Sequence, residues 1–192
     1  MIYETLHSIA QELNGHLKNT FKIMEDCAIL NAILNQDGTI PEHCLNKIVL
    51  TLVNLEHDSN IPYNPVHQGG TGDYKELYTP FNFNLDVLVT SLFENKNYDE
   101  GLKFLSHSLA FFQGKPVFTP DNTPLMNGDI RQVSMELIRL SYHEEHSLWG
   151  AMGARYMPSV LFKIRLATFQ SGAVNITSPR IKNSDESAKI KN

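Results

Sequence analysis

The spacing of apolar residues along the chain predicts two long helices. At each of them, apolar residues recur every three or four positions, which places them on one face of a helix. The stripe of the first helix consists of Ile2, Leu6, Ile9, Leu13 and Leu17. The stripe of the second, predicted over 97–113, consists of Tyr98, Leu102, Leu105, Leu109 and Phe112. Asn97 can cap the start of the second helix, and Gly114 can end it.

Four further segments have the pattern of β-strands. Residues 47–57 (KIVLTLVNLEH) are apolar on both faces, which is typical of a central strand covered on two sides. Residues 81–89 and 159–169 alternate apolar and polar positions, which predicts half-buried strands. Residues 130–141 (IRQVSMELIRLS) are the remaining strand. The short run CAILNAIL, 27–34, fits either a strand or a buried turn of helix.

These elements predict an α+β fold with a mainly antiparallel, four-stranded twisted sheet and helices packed on one side. Residues 1–169 carry the pattern and are predicted to form one domain. From residue 170 the apolar content falls, so we expect 170–192 to be a flexible C-terminal arm. Residues 58–80 contain three prolines and three glycines, which predicts a long exposed loop.

Composition narrows the class of protein. A chain of 192 residues can bury one good core. The formal net charge of −5 gives no basic face for a nucleic acid. No apolar stretch reaches the ~20 residues that span a bilayer, and the first residues lack the pattern of a secretory signal. Cys27 and Cys44 are widely spaced, which favours free thiols in a reducing compartment.

The stretch SYHEEHSLWG, 141–150, is the strongest candidate for chemistry. His143 and His146 flank two glutamates, and a metal-dependent hydrolase could use them together with Glu144. The zinc pattern H-E-x-x-H requires histidines four apart, however, and these are three apart. No third ligand stands nearby in an evident motif. The alternative is a polar helix start, in which Glu144 and Glu145 favour the positive end of the helix dipole.

No other motif indicates catalysis or a cofactor. HQGGTGDYK, 67–75, has the glycines of a phosphate loop without the following Gly-Lys-Ser/Thr. No G-x-S-x-G elbow occurs, and neither cysteine lies in a nucleophile motif. We therefore predict no catalytic residue, no metal site and no cofactor.

The segment SLWGAMGARYMPSVLFK, 147–163, concentrates the residues that are enriched at interface centres. It fits either a hydrophobic corner of the core or a subunit contact. The candidate interface residues are Trp149, Gly150, Tyr156, Pro158, Tyr74 and Arg165.

Four blocks in order resemble the cap, or tail-terminator, subunits of phage-tail-like extracellular contractile injection systems. This family includes the antifeeding-prophage and virulence-cassette particles. The blocks are IAQELNGHLK (9–18), NKIVLTLVNLEHD (46–58), residues 82–124 and residues 135–166. The resemblance extends over most of residues 1–170, and the segment after 170 is not matched.

The resemblance implies a phage tail-terminator-like fold and a structural role without catalysis. It implies a homohexameric ring whose partners are the inner tube protein and the sheath protein. Such a ring would end the tube and anchor the end of the contractile sheath. The subunit would be cytoplasmic during assembly and then part of the particle. Two alternatives stay open: the metal-dependent hydrolase, and another connector or adaptor of the same particle.

Overall fold

The computed structural model describes residues 2–57, 66–69, 73–77, 83–126, 130, 132–167 and 174–179. The helices in these ranges are α1 (Ile2–Phe21), α2 (Tyr98–Gly114) and α3 (Tyr142–Ala151). The strands are β1 (Ala28–Leu30), β2 (Lys47–His57), β3 (Val66–Gly69), β4 (Asp73–Leu77), β5 (Phe83–Leu92), β6 (Val117–Phe118), β7 (Gln132–Ile138), β8 (Ser159–Ala167) and β9 (Val174–Pro179). The contacts divide the chain into two units, one of Met1–Ser59 with Phe81–Phe169 and one of Asn60–Pro80 with Gln170–Asn192.

The first unit contains a six-stranded mixed sheet with the strand order β1-β2-β5-β8-β7-β6. Each of its inner strands β2, β5, β8 and β7 is antiparallel to its neighbours in this group, and the four correspond to the strands predicted from the sequence. The α+β class is confirmed, but the four-stranded antiparallel sheet is wrong. β1 adds a parallel edge to β2, and β6 adds an antiparallel edge to β7. These edge strands have three and two residues, too few for a repeating apolar pattern.

Strand β5 lies at the centre of the unit and is buried on both faces. Leu85, Val87 and Val89 pack into one core cluster, between the sheet and helices α1 and α2. Leu88 and Leu92 pack into a second cluster on the opposite face, with Trp149 of α3. The half-buried prediction for this strand is therefore wrong, as is the placement of all helices on one side. Phe81 and Asn82, at the start of the predicted strand, lie outside the described residues.

Helix α1 continues through Asn14-Gly15 and ends at Phe21. Asn14 has a structural role there, because its side-chain oxygen accepts hydrogen bonds from the backbone N–H groups of Cys27 (2.8 Å) and Ala28 (3.2 Å). Its side-chain nitrogen donates to Asp26 Oδ1 at 2.8 Å. Hydrogen bonds from Lys18 and Asn14 hold the pKa of Asp26 below its usual value. The strand interpretation of 27–34 holds at Ala28–Leu30, which Asn14 fixes beside the helix.

Helix α2 buries the later part of the predicted stripe, at Leu105 and Phe112, but not its first residues. Tyr98 is 50% exposed and Leu102 is also exposed, whereas Phe104 and Leu105 are buried. Gly101 faces the sheet, and a Cβ there would lie 2.6 Å from Ser91 Oγ and 2.9 Å from Phe93 Cγ. Because Gly101 lies against the sheet, the buried face of α2 is centred on Gly101, Phe104 and Ser108 at its start rather than on Tyr98 and Leu102. None of the described helices is long and apolar enough to cross a membrane.

The predicted cap of α2 is also different in detail. Asn97 stands at the N-cap position but makes no side-chain cap bond. Its side-chain nitrogen donates instead to Asn46 Oδ1 at 3.1 Å. Asn46 has a positive φ of 57° and also accepts from the backbone N–H of Glu94 at 3.2 Å. Asn46 therefore connects the start of β2 to the turn that precedes α2.

The second unit contains a three-stranded antiparallel sheet in the order β3-β4-β9. Two of its strands come from the predicted 58–80 loop, and the third comes from the predicted 170–192 arm. Neither segment was predicted to contain strands, because proline, glycine and polar residues interrupt the alternation. The rest of both segments lies outside the described residues, so the 169/170 boundary and the flexibility of the arm stay predictions.

Two glycine substitutions test the close contact between α2 and the sheet. Gly101→Ala should lower the free energy of unfolding by about 1–3 kcal/mol, because its methyl group overpacks against Ser91 and Phe93. Gly15→Ala is the matched control, since a Cβ there meets nothing within 4 Å. That control should stabilise the chain by roughly 0.5–1 kcal/mol through helix propensity. Urea unfolding measures both, and a stabilising Gly101→Ala would contradict the close approach.

Candidate functional site

The start of α3 is built by a capping box. Ser141 Oγ accepts from the backbone N–H of Glu144 at 3.4 Å, and Glu144 Oε2 accepts from the backbone N–H of Ser141 at 2.8 Å. Ser141 Oγ also donates a hydrogen bond to the same carboxylate oxygen, at 2.8 Å. These hydrogen bonds lower the pKa of Glu144, the bond from the Ser141 backbone being the larger cause. Glu144 is therefore engaged in forming the helix end.

The two histidines of this stretch project from an exposed helical turn. His143 and His146 are both exposed, and the carbonyl of His143 accepts from Ser147 Oγ at 2.8 Å. In the part of the chain that the structure describes, no group of three or more His, Cys, Asp or Glu residues could hold a metal ion. The residues of this stretch form the polar helix start that the sequence analysis gives as the alternative.

The end of α3 places Trp149 in the core. The Trp149 side chain is only 3% exposed and packs in the second core cluster with Leu88, Leu92 and Leu161. Its ring meets Tyr156 edge-on at a centroid distance of 5.9 Å. Gly153, with φ of +67°, follows the end of the helix, where glycine adopts the left-handed conformation without steric cost. The corner interpretation is therefore correct for Trp149, whose own surface is already covered.

An exposed aromatic surface lies directly outside Trp149. We call it the α3 corner and define it as Tyr142, Glu145 and Tyr156, together with the groove at the start of α3. Tyr142 is 93% exposed and Tyr156 is 62% exposed. Burial, followed by the charge of Glu145, raises the pKa of the Tyr156 hydroxyl. The groove has a volume of about 650 Å³ and is lined by Arg139, Leu140, Ser141, Tyr142, Glu144 and Glu145. The corner presents large apolar area beside polar groups, as protein interfaces do.

The other predicted interface residues lie at different places. Gly150 is exposed, with open space around it. Pro158 is half-buried, and its carbonyl accepts from the backbone N–H of Ser91 at 2.9 Å. Arg165 lies on β8, where it forms an ion pair with Glu136 of β7 at 2.9 Å. Tyr74 belongs to β4 of the second unit, opposite Ser178 of β9. Of the six candidates, the described contacts thus bring together Trp149 and Tyr156.

Sequence reasoning missed the exposed apolar residues at the two edges of the large sheet. Leu52 and Leu55 of β2 are exposed, and so is Leu137 of β7. The alternation of 47–57 breaks at a bulge between Leu52 and Asn54. The run LVNLEH, in which leucines stand three apart rather than two, is the signal that could have shown it.

The comparison with protein families matches residues 4–183 to the Pvc16 N-terminal domain. The chain belongs to this family. The relationship that the four sequence blocks indicate, to the caps of contractile injection systems, is thereby confirmed. No curated protein matches the chain.

Two solved structures are similar to this Pvc16 N-terminal domain, and the first of them shares its fold. The anti-feeding prophage cap, described as a tube-terminating cap, aligns with a TM-score of 0.57 at 13% identity and covers 91% of this chain. A sheath/tube terminator of an extracellular contractile injection system, in its extended state, aligns over 94% of the chain at 13% identity, with a TM-score of 0.47. The chain spans 60% and 65% of the length of those two proteins.

The capping box generates a pH-dependent prediction. Ser141→Ala should lower the free energy of unfolding by about 1 kcal/mol at pH 7, because the N-cap acceptor is lost. The lowered pKa of Glu144 means that its stabilising contribution is fully present above its ordinary value of 4.5. That contribution disappears as the pH falls through the folded-state pKa. The difference between wild type and Ser141→Ala should therefore shrink between pH 7 and pH 3.

Chemical unfolding at the two pH values measures this difference. The control is the double variant His143→Ala with His146→Ala, which should stay within about 0.5 kcal/mol of wild type, since both side chains are exposed. A Ser141→Ala variant as stable as wild type at pH 7 would contradict the capping role.

Trp149→Ala should destabilise the chain more than any histidine substitution. Removing a buried aromatic side chain costs about 3–5 kcal/mol, and Trp149 joins α3 to the second core cluster. Tyr142→Ala is the control, because that side chain is almost fully exposed. Thermal unfolding compares the two. Equal melting temperatures for Trp149→Ala and wild type would show that the packing of Trp149 is unimportant.

Proposed function

We propose that this chain is a cap subunit that ends the inner tube of a contractile injection system and anchors the end of its sheath. The observation that carries the proposal is the shared fold with a tube-terminating cap over 91% of the chain. Membership of the Pvc16 N-terminal domain family, over residues 4–183, supports the same role. Because the identity is 13%, the role rests on fold and family together.

The subunit is proposed to act as a closed ring of six copies. A ring with rotational symmetry needs two different patches on each subunit, one for each neighbour. The large sheet offers two different edges, β1 with the end of β2 on one side, and β6 with the end of β7 on the other. Six-fold closure would match a tube built with the same symmetry.

The α3 corner is proposed to be a contact surface of the assembled particle. Trp149 is buried and supports the corner from inside, while Tyr156 and Gly150 face outward next to Pro158. Arg165 and Tyr74 remain proposed contacts at other places. Exposed tyrosines contribute a large contact area at low conformational entropy cost.

The proposed role is structural and needs no catalytic site. Proteins of this role must present rigid surfaces, and the two-sided burial of β5 supplies a rigid base. Its partners would be copies of itself, the tube protein and the sheath protein. The chain would assemble in the cytoplasm and then stay with the particle.

The experiment is reconstitution with purified tube and sheath proteins. Tubes that grow with the wild-type chain should have one bound cap ring at the end and a narrow length distribution in electron micrographs. Removing the chain should give tubes and sheaths of irregular length, because nothing stops the addition of subunits. An adaptor in the baseplate predicts a different result, since tubes would then fail to start.

The α3 corner is tested in the same assay. Tyr142→Ala with Tyr156→Ala should weaken incorporation at least tenfold without unfolding the chain. Tyr3→Ala, another exposed tyrosine on α1, is the matched control and should incorporate normally. Binding to neither tube nor sheath by the folded wild-type chain would overturn the proposed function.

A further inference from the structure

Strand β2 is longer than the edge strand that covers it. β1 pairs only with Ile48, Val49 and Leu50 of β2, and β2 continues to His57. Among the residues that the structure describes, no strand pairs with the outer edge of Leu52–Glu56. A strand edge of this kind exposes backbone groups that can pair with another extended chain.

A bulge gives this open length a defined apolar side. Leu52 lies opposite Val87, and Leu55 lies opposite Leu85, with the register shifted between Leu52 and Asn54. Val87 and Leu85 are two residues apart on β5, so both leucines lie on the same face as the first core cluster. Leu55 is nevertheless 46% exposed. The edge thus carries apolar side chains that the subunit itself does not cover.

The backbone of Leu55 points outward from the sheet. At the start of β2 the outward residues are Ile48, whose N–H donates to Cys27, and Leu50, whose carbonyl accepts from Asn31. The bulge moves this alternation by one residue, so beyond it the outward position is Leu55.

The opposite edge of the sheet has the same arrangement. β6 pairs only with Val133 and Ser134 of β7, followed by a hydrogen bond from the Met135 N–H to the Pro116 carbonyl. The alternation therefore makes Leu137 the next outward residue. Leu137 lies opposite Phe162 of β8, on the face of the first core cluster, and is 64% exposed.

We propose that neighbouring copies of this chain join through these two edges, with Leu55 of one copy directly opposite Leu137 of the next. The pairing rests on the proposed ring. Both residues have outward backbone groups, so they would form a hydrogen-bonded antiparallel pair that continues the sheet from one copy into the next. Their side chains would meet on the same face, which extends the apolar surface across the contact.

The geometry of the two edges is compatible with this register. β2 and β7 run in opposite directions in the sheet, because three antiparallel steps separate them. The covered part of β2 precedes its open part, and the covered part of β7 precedes Leu137. In the antiparallel pair, β1 of one copy and β6 of the next therefore lie at opposite ends and do not overlap.

The charged residues beside Leu55 and Leu137 are also compatible with this pairing, and so is the surface next to β7. Glu56 and Glu136 would lie opposite each other, but each already has a cation partner in its own sheet. Lys163 is 3.4 Å from Glu56, and Arg165 is 2.9 Å from Glu136. β7 leads directly into Arg139, Leu140 and Tyr142, which line the groove of the α3 corner. The edge contact and the α3 corner would thus form one continuous surface.

A cysteine pair tests the register. The variant Leu55→Cys with Leu137→Cys, assembled on tubes and mildly oxidised, should give a covalent ladder up to the full ring on non-reducing gels. The opposed Cα atoms would be about 5.5 Å apart, within the range of a disulfide. Within one chain the two positions are separated by three strand spacings and an offset of two residues, which exceeds about 14 Å, so the bond must form between copies. The matched control is Leu55→Cys with Leu102→Cys, which should give no ladder, because Leu102 is an exposed leucine on α2.

A charge exchange gives a second readout. Leu55→Lys alone and Leu137→Glu alone should each lower ring formation at least tenfold, and the double variant should restore most of it. Rings that form normally while the cysteine pair stays uncrosslinked would overturn the edge pairing and leave the cap role intact. A wild-type chain that forms no ring at all would overturn both. Failure of the charge exchange to rescue would also contradict direct opposition of the two residues.

Discussion

The fold depends on the burial of β5 on both faces. One face of this strand packs against the core under α1 and α2, and the other packs against the cluster that contains Trp149. A strand covered on two sides fixes the position of its neighbours, since β2 and β8 pair with it along nearly its whole length. The helices are then attached to a base that cannot slip by one residue without exposing a core.

Local devices attach each helix to that base. Asn14 binds the backbone at the start of β1, Gly101 lets α2 approach Ser91 and Phe93, and the capping box starts α3 just beyond β7. Each of these three attachments uses a polar or small residue. An apolar pattern alone does not show that such a residue holds a helix in place. The His-Glu cluster is an example. Its sequence resembles a metal site, but in the structure its polar residues form the start of helix α3.

The sequence predicted the positions of the long helices and strands better than it predicted which of their faces are buried. Residues 47–57 are a strand with the predicted bounds, because branched residues and leucines extend without interruption. The two faces of β5 were harder to predict, since Asn82, Asn84 and Asp86 give a polar alternation to a segment whose strand is buried. Asp86 is buried because Asn54 of β2 donates to its Oδ2 at 3.0 Å, a contact between distant segments that no local pattern contains.

The candidate surface was predicted in part. Aromatic enrichment identified the α3 corner, but it could not separate Trp149, which supports the corner, from Tyr156, which is presented by it. The apolar edges were not predicted, because they depend on which strands are neighbours. The three-stranded sheet of the second unit was missed for the same reason, as its strands come from segments that lie about a hundred residues apart.

The bulge in β2 has a consequence for how this fold can change. Leu52 and Leu55 are three residues apart, and they share the face of the first core cluster because the strand bulges at Val53 between them. Deleting Val53 would remove the bulge and leave Leu55 opposite Leu85, so both leucines would keep their face in a regular ladder. The polarity of this rim therefore survives the loss of the extra residue, whereas one residue inserted between Asn54 and Leu55 would turn the leucine to the opposite face.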